Sequence, residues 1–174
     1  MQALKTLVAV AVLGLAFSTA ALCQPALPPL AREVDLSGPR FGGTFLSDGV
    51  VQKLRKDERI SVAPMISQFG WQFEKQFYNG GTGVAALTEA VVLVGGLEQG
   101  YVLPSVSWLV GVRTHEGTEF GVGPNITPVG VALAIAGGKT FRMGVLNVPV
   151  NVAVVPSKSG VRVSMLTGFS MRRR

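Results

Sequence analysis

The amino-acid sequence predicts an all-β fold, an antiparallel up-and-down β-barrel of about eight strands with one short helix between the first two. Three observations carry that expectation. Turn signals recur at short, even intervals along most of the chain. The runs between them alternate bulky and small side chains. The chain of 174 residues holds 22 Gly and only 15% charged residues, against about 25% in an average globular domain. Evenly spaced strands joined by short turns form a meander, and a long meander closes on itself to remove its edges.

The N-terminus reads as an export signal. Lys5 precedes an uncharged apolar run from Leu7 to Phe17, followed by the small residues Ser18, Thr19, Ala20 and Ala21. That order is the pattern of a secretory signal peptide, placed at 1–23, and the run is shorter than the roughly 20 residues of a spanning helix. Cleavage after Ala20 and cleavage after Cys23 both fit. Ala20-Ala21-Leu22-Cys23 has the outline of a lipobox, with bulky Leu22 where that pattern has Gly, Ala or Ser. Only Lys5 leaves among the charged residues, so the shortage of charge belongs to the exported domain. With one Cys and one His, a disulfide framework is excluded and a metal site is not expected.

Residues 24–39, with Pro25, Pro28 and Pro29, read as an extended tether. The barrel domain is placed at 40–171, its first strand at 40–46. A helix follows at about 48–58: Val50, Val51 and Leu54 share one side, Gln52, Lys53, Arg55 and Lys56 occupy the rest, and Ser47 or Asp48 caps it. It is either a surface helix in a connection or a basic piece lying at a membrane interface. The remaining strands are expected at 63–78, 83–94, 101–114, 118–126, 129–136, 140–155 and 160–171. The turn signals between them are Asn79-Gly80-Gly81, Gly95-Gly96, His115-Glu116-Gly117, Asn125 to Pro128, Gly137-Gly138 and Pro156 to Gly160. A basic tail closes the chain at 172–174.

Successive side chains of a strand point to opposite faces, so each run can be split by parity. Phe69, Trp71, Phe73 and Phe77 oppose Gln68, Gly70, Gln72, Glu74 and Gln76. Val106, Trp108, Val110 and Val112 oppose Ser105, Ser107, Gly111 and Arg113. Phe120, Val122 and Ile126 oppose Glu119, Gly121, Gly123 and Asn125, and the last strand sets Val163, Met165 and Phe169 against Arg162, Ser164 and Gly168. One face is bulky and apolar, the other small or polar. Two runs break the rule. Glu89 shares parity with Leu87, Val91 and Leu93, and the apolar set of 140–155 switches parity between Met143 and Val148, as a bulge near Asn147 or Pro149 would produce.

Two barrels fit this alternation. A soluble, lipocalin-like barrel turns the apolar face inward around a core or a greasy ligand, which leaves an exterior unusually poor in charge. A membrane barrel turns it toward lipid and fills its narrow interior with small and polar residues. The scarcity of charge favours lipid, with Phe69, Trp71, Phe73, Trp108, Phe120 and Phe169 as the lipid-facing aromatics. Glu74, Arg113, Glu119 and Arg162 share the small polar face, where unpaired charges are costly. They are expected to form an interior polar network that plugs the barrel, or else to line a narrow solute path.

With its signal peptide, alternating strands such as Gln68-Phe69-Gly70-Trp71-Gln72-Phe73 and the closing Val163-x-Met165-x-Thr167-x-Phe169, the chain resembles the small, eight-stranded bacterial outer-membrane β-barrels over about residues 40 to 171. The resemblance implies a barrel in the outer membrane, in contact with membrane lipid and inserted by the barrel-assembly machinery. Members typically end on an aromatic residue and carry long outward loops. Here Ser170-Met171-Arg172-Arg173-Arg174 follow Phe169, and only the 47–62 connection is long.

Catalysis, cofactors and nucleic acid find no support. The lone His115 sits with Glu116 and Gly117 in an expected turn, away from Ser105 and Ser107, so no triad is drawn. Gly121-x-Gly123 and Gly80-Gly81-x-Gly83 do not open a helix after a strand, so they do not read as phosphate loops. Arg172 to Arg174 fit a solvated tail touching anionic headgroups or peptidoglycan. The expected function is an exported outer-membrane β-barrel with a structural or surface role, or a narrow pore, without catalysis. The alternative is a periplasmic lipocalin-like barrel holding an apolar ligand, and an enzyme acting on envelope lipids stands third.

Overall fold

Alternating faces let an antiparallel ladder bury one set of side chains and expose the other, and this chain closes such a ladder on itself. The computed structural model describes residues 36–57, 59–80 and 83–171. The expected signal peptide with Cys23, most of the tether and the tail at 172–174 lie outside them. The strands are β1 (Gly38–Leu46), β2 (Met65–Gly80), β3 (Val84–Gly95), β4 (Leu103–Thr114), β5 (Thr118–Thr127), β6 (Gly130–Met143), β7 (Leu146–Ser157) and β8 (Gly160–Gly168). Each pairs antiparallel with the next, and β1 pairs with β8, so the eight-stranded barrel has no free edge. A two-residue β9 (Ser170–Met171) pairs with the start of β7.

The meander sorts its connections to two ends. One end carries the start of β1, the end of β2 with the start of β3, and the turns at 115–117 and 144–145. The other carries α1 (Asp48–Asp57), a single 3₁₀ turn (Leu97–Gln99) and the short turns at 128–129 and 158–159. No helix among the described residues is long and apolar enough to cross a membrane.

The amphipathic pattern of α1 decides where it lies. Val50 and Leu54 are buried against Leu46, Val62, Ile66 and Leu103, so the helix caps that end of the barrel. Its first turn hangs on the Ser47 carbonyl, which accepts from Val50 N–H at 2.9 Å and Val51 N–H at 3.1 Å. The Ser47 hydroxyl accepts instead from Val161 N–H at 2.9 Å and ties the helix start to β8. Lys56 and Arg55 stay exposed in the last turn, where cations complement the helix dipole.

Three expectations need correction. Gly137-Gly138 is not a turn: β6 runs through it, with Gly137 opposite Phe120 and Val152 and Gly138 opposite Glu119 and Asn151. The hairpin lies at Gly144-Val145, and it resets the parity of the apolar residues, so the switch before Val148 requires no bulge at Asn147 or Pro149. The register shift lies in β2, between Gln76 and Tyr78, and puts both Phe77 and Tyr78 outside. Third, the inner face is not uniformly small or polar. Leu87 is buried inside toward the opposite end, and Val91, Leu93, Leu103 and Leu109 make the α1 side of the interior apolar. The tether also ends sooner than expected: β1 starts at Gly38, and buried Leu36 is held by the Arg40 Nη2 donor on its carbonyl at 2.7 Å.

Close approach at the closing seam explains one strand glycine. A Cβ on Gly42 would stand 1.9 Å from the Met165 carbonyl oxygen of β8. Gly42→Ala should therefore force β1 and β8 apart and lower stability by about 1–3 kcal/mol. A lower unfolding midpoint, read from the folded band on unheated gels, checks this.

Candidate functional site

The exterior follows from parity. Phe69, Trp71 and Phe73 point out of the barrel and are 52%, 45% and 55% exposed, and Trp108, Phe120 and Phe169 are likewise exposed. They belong to an apolar surface that continues through Phe41, Phe45, Val110, Ile126, Leu133 and Met165. Among the described strand residues only Lys75 and Lys139 put a charge on this surface, both in the half of the barrel remote from α1.

Inside, the end remote from α1 is filled by an ion-pair cluster. Antiparallel pairing sets Arg113 of β4 opposite Glu119 of β5, and Glu74 reaches them from β2. Arg113 donates from Nη1 to Glu74 Oε1 at 2.6 Å, from Nη2 to Glu74 Oε2, and from Nε to Glu119 Oε1 at 2.9 Å. The guanidinium thus forks onto one carboxylate and bridges to a second, the geometry that makes Arg–carboxylate pairs strong and directional. Thr140 adds its hydroxyl to Glu119 Oε1 at 2.8 Å, and the Leu36 N–H lies 3.4 Å from Glu74 Oε1. Arg40 adds a second buried cation, donating from Nε to Gln72 Oε1 at 3.0 Å. All of these side chains are buried.

Glu89 completes the group. Carboxylate oxygens of Glu74, Glu89 and Glu119 lie within 4.8 Å of one another. Two of the three already hold Arg113, so the group is engaged with a cation of the chain itself.

The fourth residue of the expected network is elsewhere. Arg162 enters near the start of β8, at the α1 end, and donates from Nη1 to Thr127 Oγ1 at 2.5 Å. It forms no ion pair among the described residues. It lines a cavity of about 90 Å³ that runs from beneath α1 into the barrel interior as far as Gln72 and Glu89, and whose apolar wall includes Leu46, Val50, Leu54, Ala134 and Val155. Polar groups line the remainder: Thr44 bonds Gln68 and Ser164, and Asn125 donates to Ser105 at 2.9 Å and Ser107 at 2.8 Å. His115 lies in the exposed β4–β5 turn beside Glu116, at the opposite end of the barrel from those serines.

Sequence reasoning missed Arg40, Gln72, Glu89 and Thr140. Arg40 was open to it: with Thr44 it takes the parity opposite Phe41 and Phe45. Glu89 stood out as the charge within an apolar set. Thr140 was hidden by reading a turn at Gly137-Gly138.

Fold and interior together define a class: a closed eight-stranded antiparallel barrel, apolar outside, with buried ion pairs toward one end and a helix packed on the other. The chain matches no protein-family model, no curated protein and no solved structure.

Proposed function

We infer that this protein is an outer-membrane β-barrel with a structural or surface role, inserted by the barrel-assembly machinery. The observation that carries this reading is the exposed apolar belt, broken by no charge other than Lys75 and Lys139 among the described strand residues. Monomeric soluble proteins rarely expose apolar patches larger than a few hundred Å², whereas lipid requires such a belt.

Strand length supports the same reading. The strands run from 9 to 16 residues, and about 9–11 tilted residues cross a bilayer. So does the asymmetry of the ends, since membrane barrels have short periplasmic turns and longer outward connections. On that pattern α1 lies on the outer side and the Arg113 cluster on the periplasmic side. The signal peptide supplies the export step. A lipocalin-like barrel needs its bulky apolar set inside, and the outward Phe69, Trp71 and Phe73 speak against it. The buried cluster at one end and α1 at the other favour a closed barrel over a conducting pore.

Cell fractionation tests the reading. The mature chain should sediment with outer membranes and resist extraction by salt or carbonate but not by detergent. Recovery in the soluble periplasm without detergent would overturn it.

A further inference from the structure

The geometry points to the cavity beneath α1 as a binding site for a short aliphatic carboxylate, its anionic head on Arg162 and its carbon tail against α1. Three observations converge there. Arg162 is 6% exposed and its guanidinium has no carboxylate partner among the described residues. One hydroxyl, Thr127 Oγ1, is its hydrogen-bond acceptor, and buried Nε has none. The two guanidinia buried at the opposite end are both better held: Arg113 by two carboxylates, and Arg40 by Gln72 Oε1 and the carbonyls of Pro39 and Leu36. A buried cation left uncompensated is strongly unfavourable, and an anion bound beside it removes the imbalance.

The surroundings choose the kind of anion. In register, Arg162 lies between Leu46 of β1 and Val155 of β7, both buried and apolar. Val50 and Leu54 of α1 close the space from above, and Ala134 faces it from β6. A fully hydrated ion such as phosphate has nothing to offer these walls, while a carboxylate with a short alkyl group satisfies both. Size sets the length. A cavity of 150 Å³ accommodates the six carbons of benzene, so about 90 Å³ suits roughly four heavy atoms on the same scale. That is the size of acetate or propionate. The inference concerns the interior alone and stands independently of where the barrel resides.

The test uses the full mature chain folded in dodecylmaltoside micelles, with sodium propionate as the probe at constant ionic strength. Saturation-transfer NMR should show contact between the protein and the propionate methyl, and the thermal midpoint should rise with propionate as binding to the folded state demands. Propylammonium chloride and sodium phosphate should give neither effect. Arg162→Met should abolish the propionate response. Ala134→Leu, which keeps Arg162 but fills the space, should abolish it too, and decides the matter if Arg162→Met does not fold. No transfer signal in the native chain, an equal response to phosphate, or an undiminished response in Ala134→Leu or folded Arg162→Met would overturn the proposal.

Discussion

Arg113→Ala is expected to lower the folding stability of the barrel by about 3–5 kcal/mol, the range found when one partner of a buried ion pair is removed. The mutation deletes the donors to Glu74 and Glu119 together, and both carboxylates remain in place, buried. Glu74 keeps the N–H of Leu36 and Glu119 the hydroxyl of Thr140, which is far less than a guanidinium. Arg40 stays nearby, yet it is committed to Gln72 and to the carbonyls of Pro39 and Leu36. Urea unfolding in detergent, followed by the fluorescence of Trp71 and Trp108, gives the difference directly. Two further variants identify the cause. Arg113→Lys should recover only part of the loss, because an ammonium cannot fork onto Glu74 while reaching Glu119. Arg113→Met combined with Glu74→Gln and Glu119→Gln should recover most of it, since the two carboxylates are neutralised together with the cation that held them and neither is stranded. An unchanged midpoint for Arg113→Ala would refute a stabilising interior pair.

The contrast between Arg113 and Arg162 marks what parity can and cannot tell. Both residues fall on the small polar face, so parity groups them. Height along the barrel comes from strand direction instead. Arg113 is near the end of β4 and Glu119 near the start of β5, so one hairpin brings them together. Arg162 is the third residue of β8, which starts at the α1 end, so the same antiparallel order carries it away from them. Strand count and direction were both legible in the sequence, and using them would have separated the two.

Glycine misled in the other direction. Gly137-Gly138 looks like a turn because glycine marks turns, yet in a narrow barrel glycine also permits close approach of neighbouring chains. A Cβ on Gly138 would meet the Val150 carbonyl oxygen at 2.6 Å and the Asn151 side chain still closer. Val131, Leu133, Ile135, Phe141 and Met143 of β6 share one parity across the two glycines, interrupted by Gly137 and Lys139 alone, and that shared parity was the better guide. The real turn, Gly144-Val145, carries only one turn-forming residue. The apolar pocket under α1 was illegible for a different reason. Val91, Leu93 and Leu109 are as bulky as the residues outside, so their direction is set by their neighbours in the closed barrel and not by their own composition.

Val110→Arg is the substitution that best separates lipid from water outside the barrel. Val110 sits near the middle of β4, points outward, and pairs with Thr88 and Val122, on the opposite face of the sheet from the ion pairs and the cavity. An Arg there can extend into the surrounding medium without disturbing the ladder, so its energetic effect reports that medium. In an aqueous setting a surface substitution of this kind changes stability by at most about 0.5 kcal/mol. At a bilayer midplane the same change costs about 2–4 kcal/mol, falling to about 0–1 near the interfaces. Val84→Arg supplies the second depth, because Val84 is also exposed but begins β3 at the rim opposite α1. Unfolding from phospholipid vesicles should therefore rank the variants by depth, with Val110→Arg clearly destabilised and Val84→Arg close to the parent. Equal, near-neutral effects would mean that water surrounds both positions. In that case the apolar exterior would need some other cover, and the membrane reading would fall with the belt on which it rests.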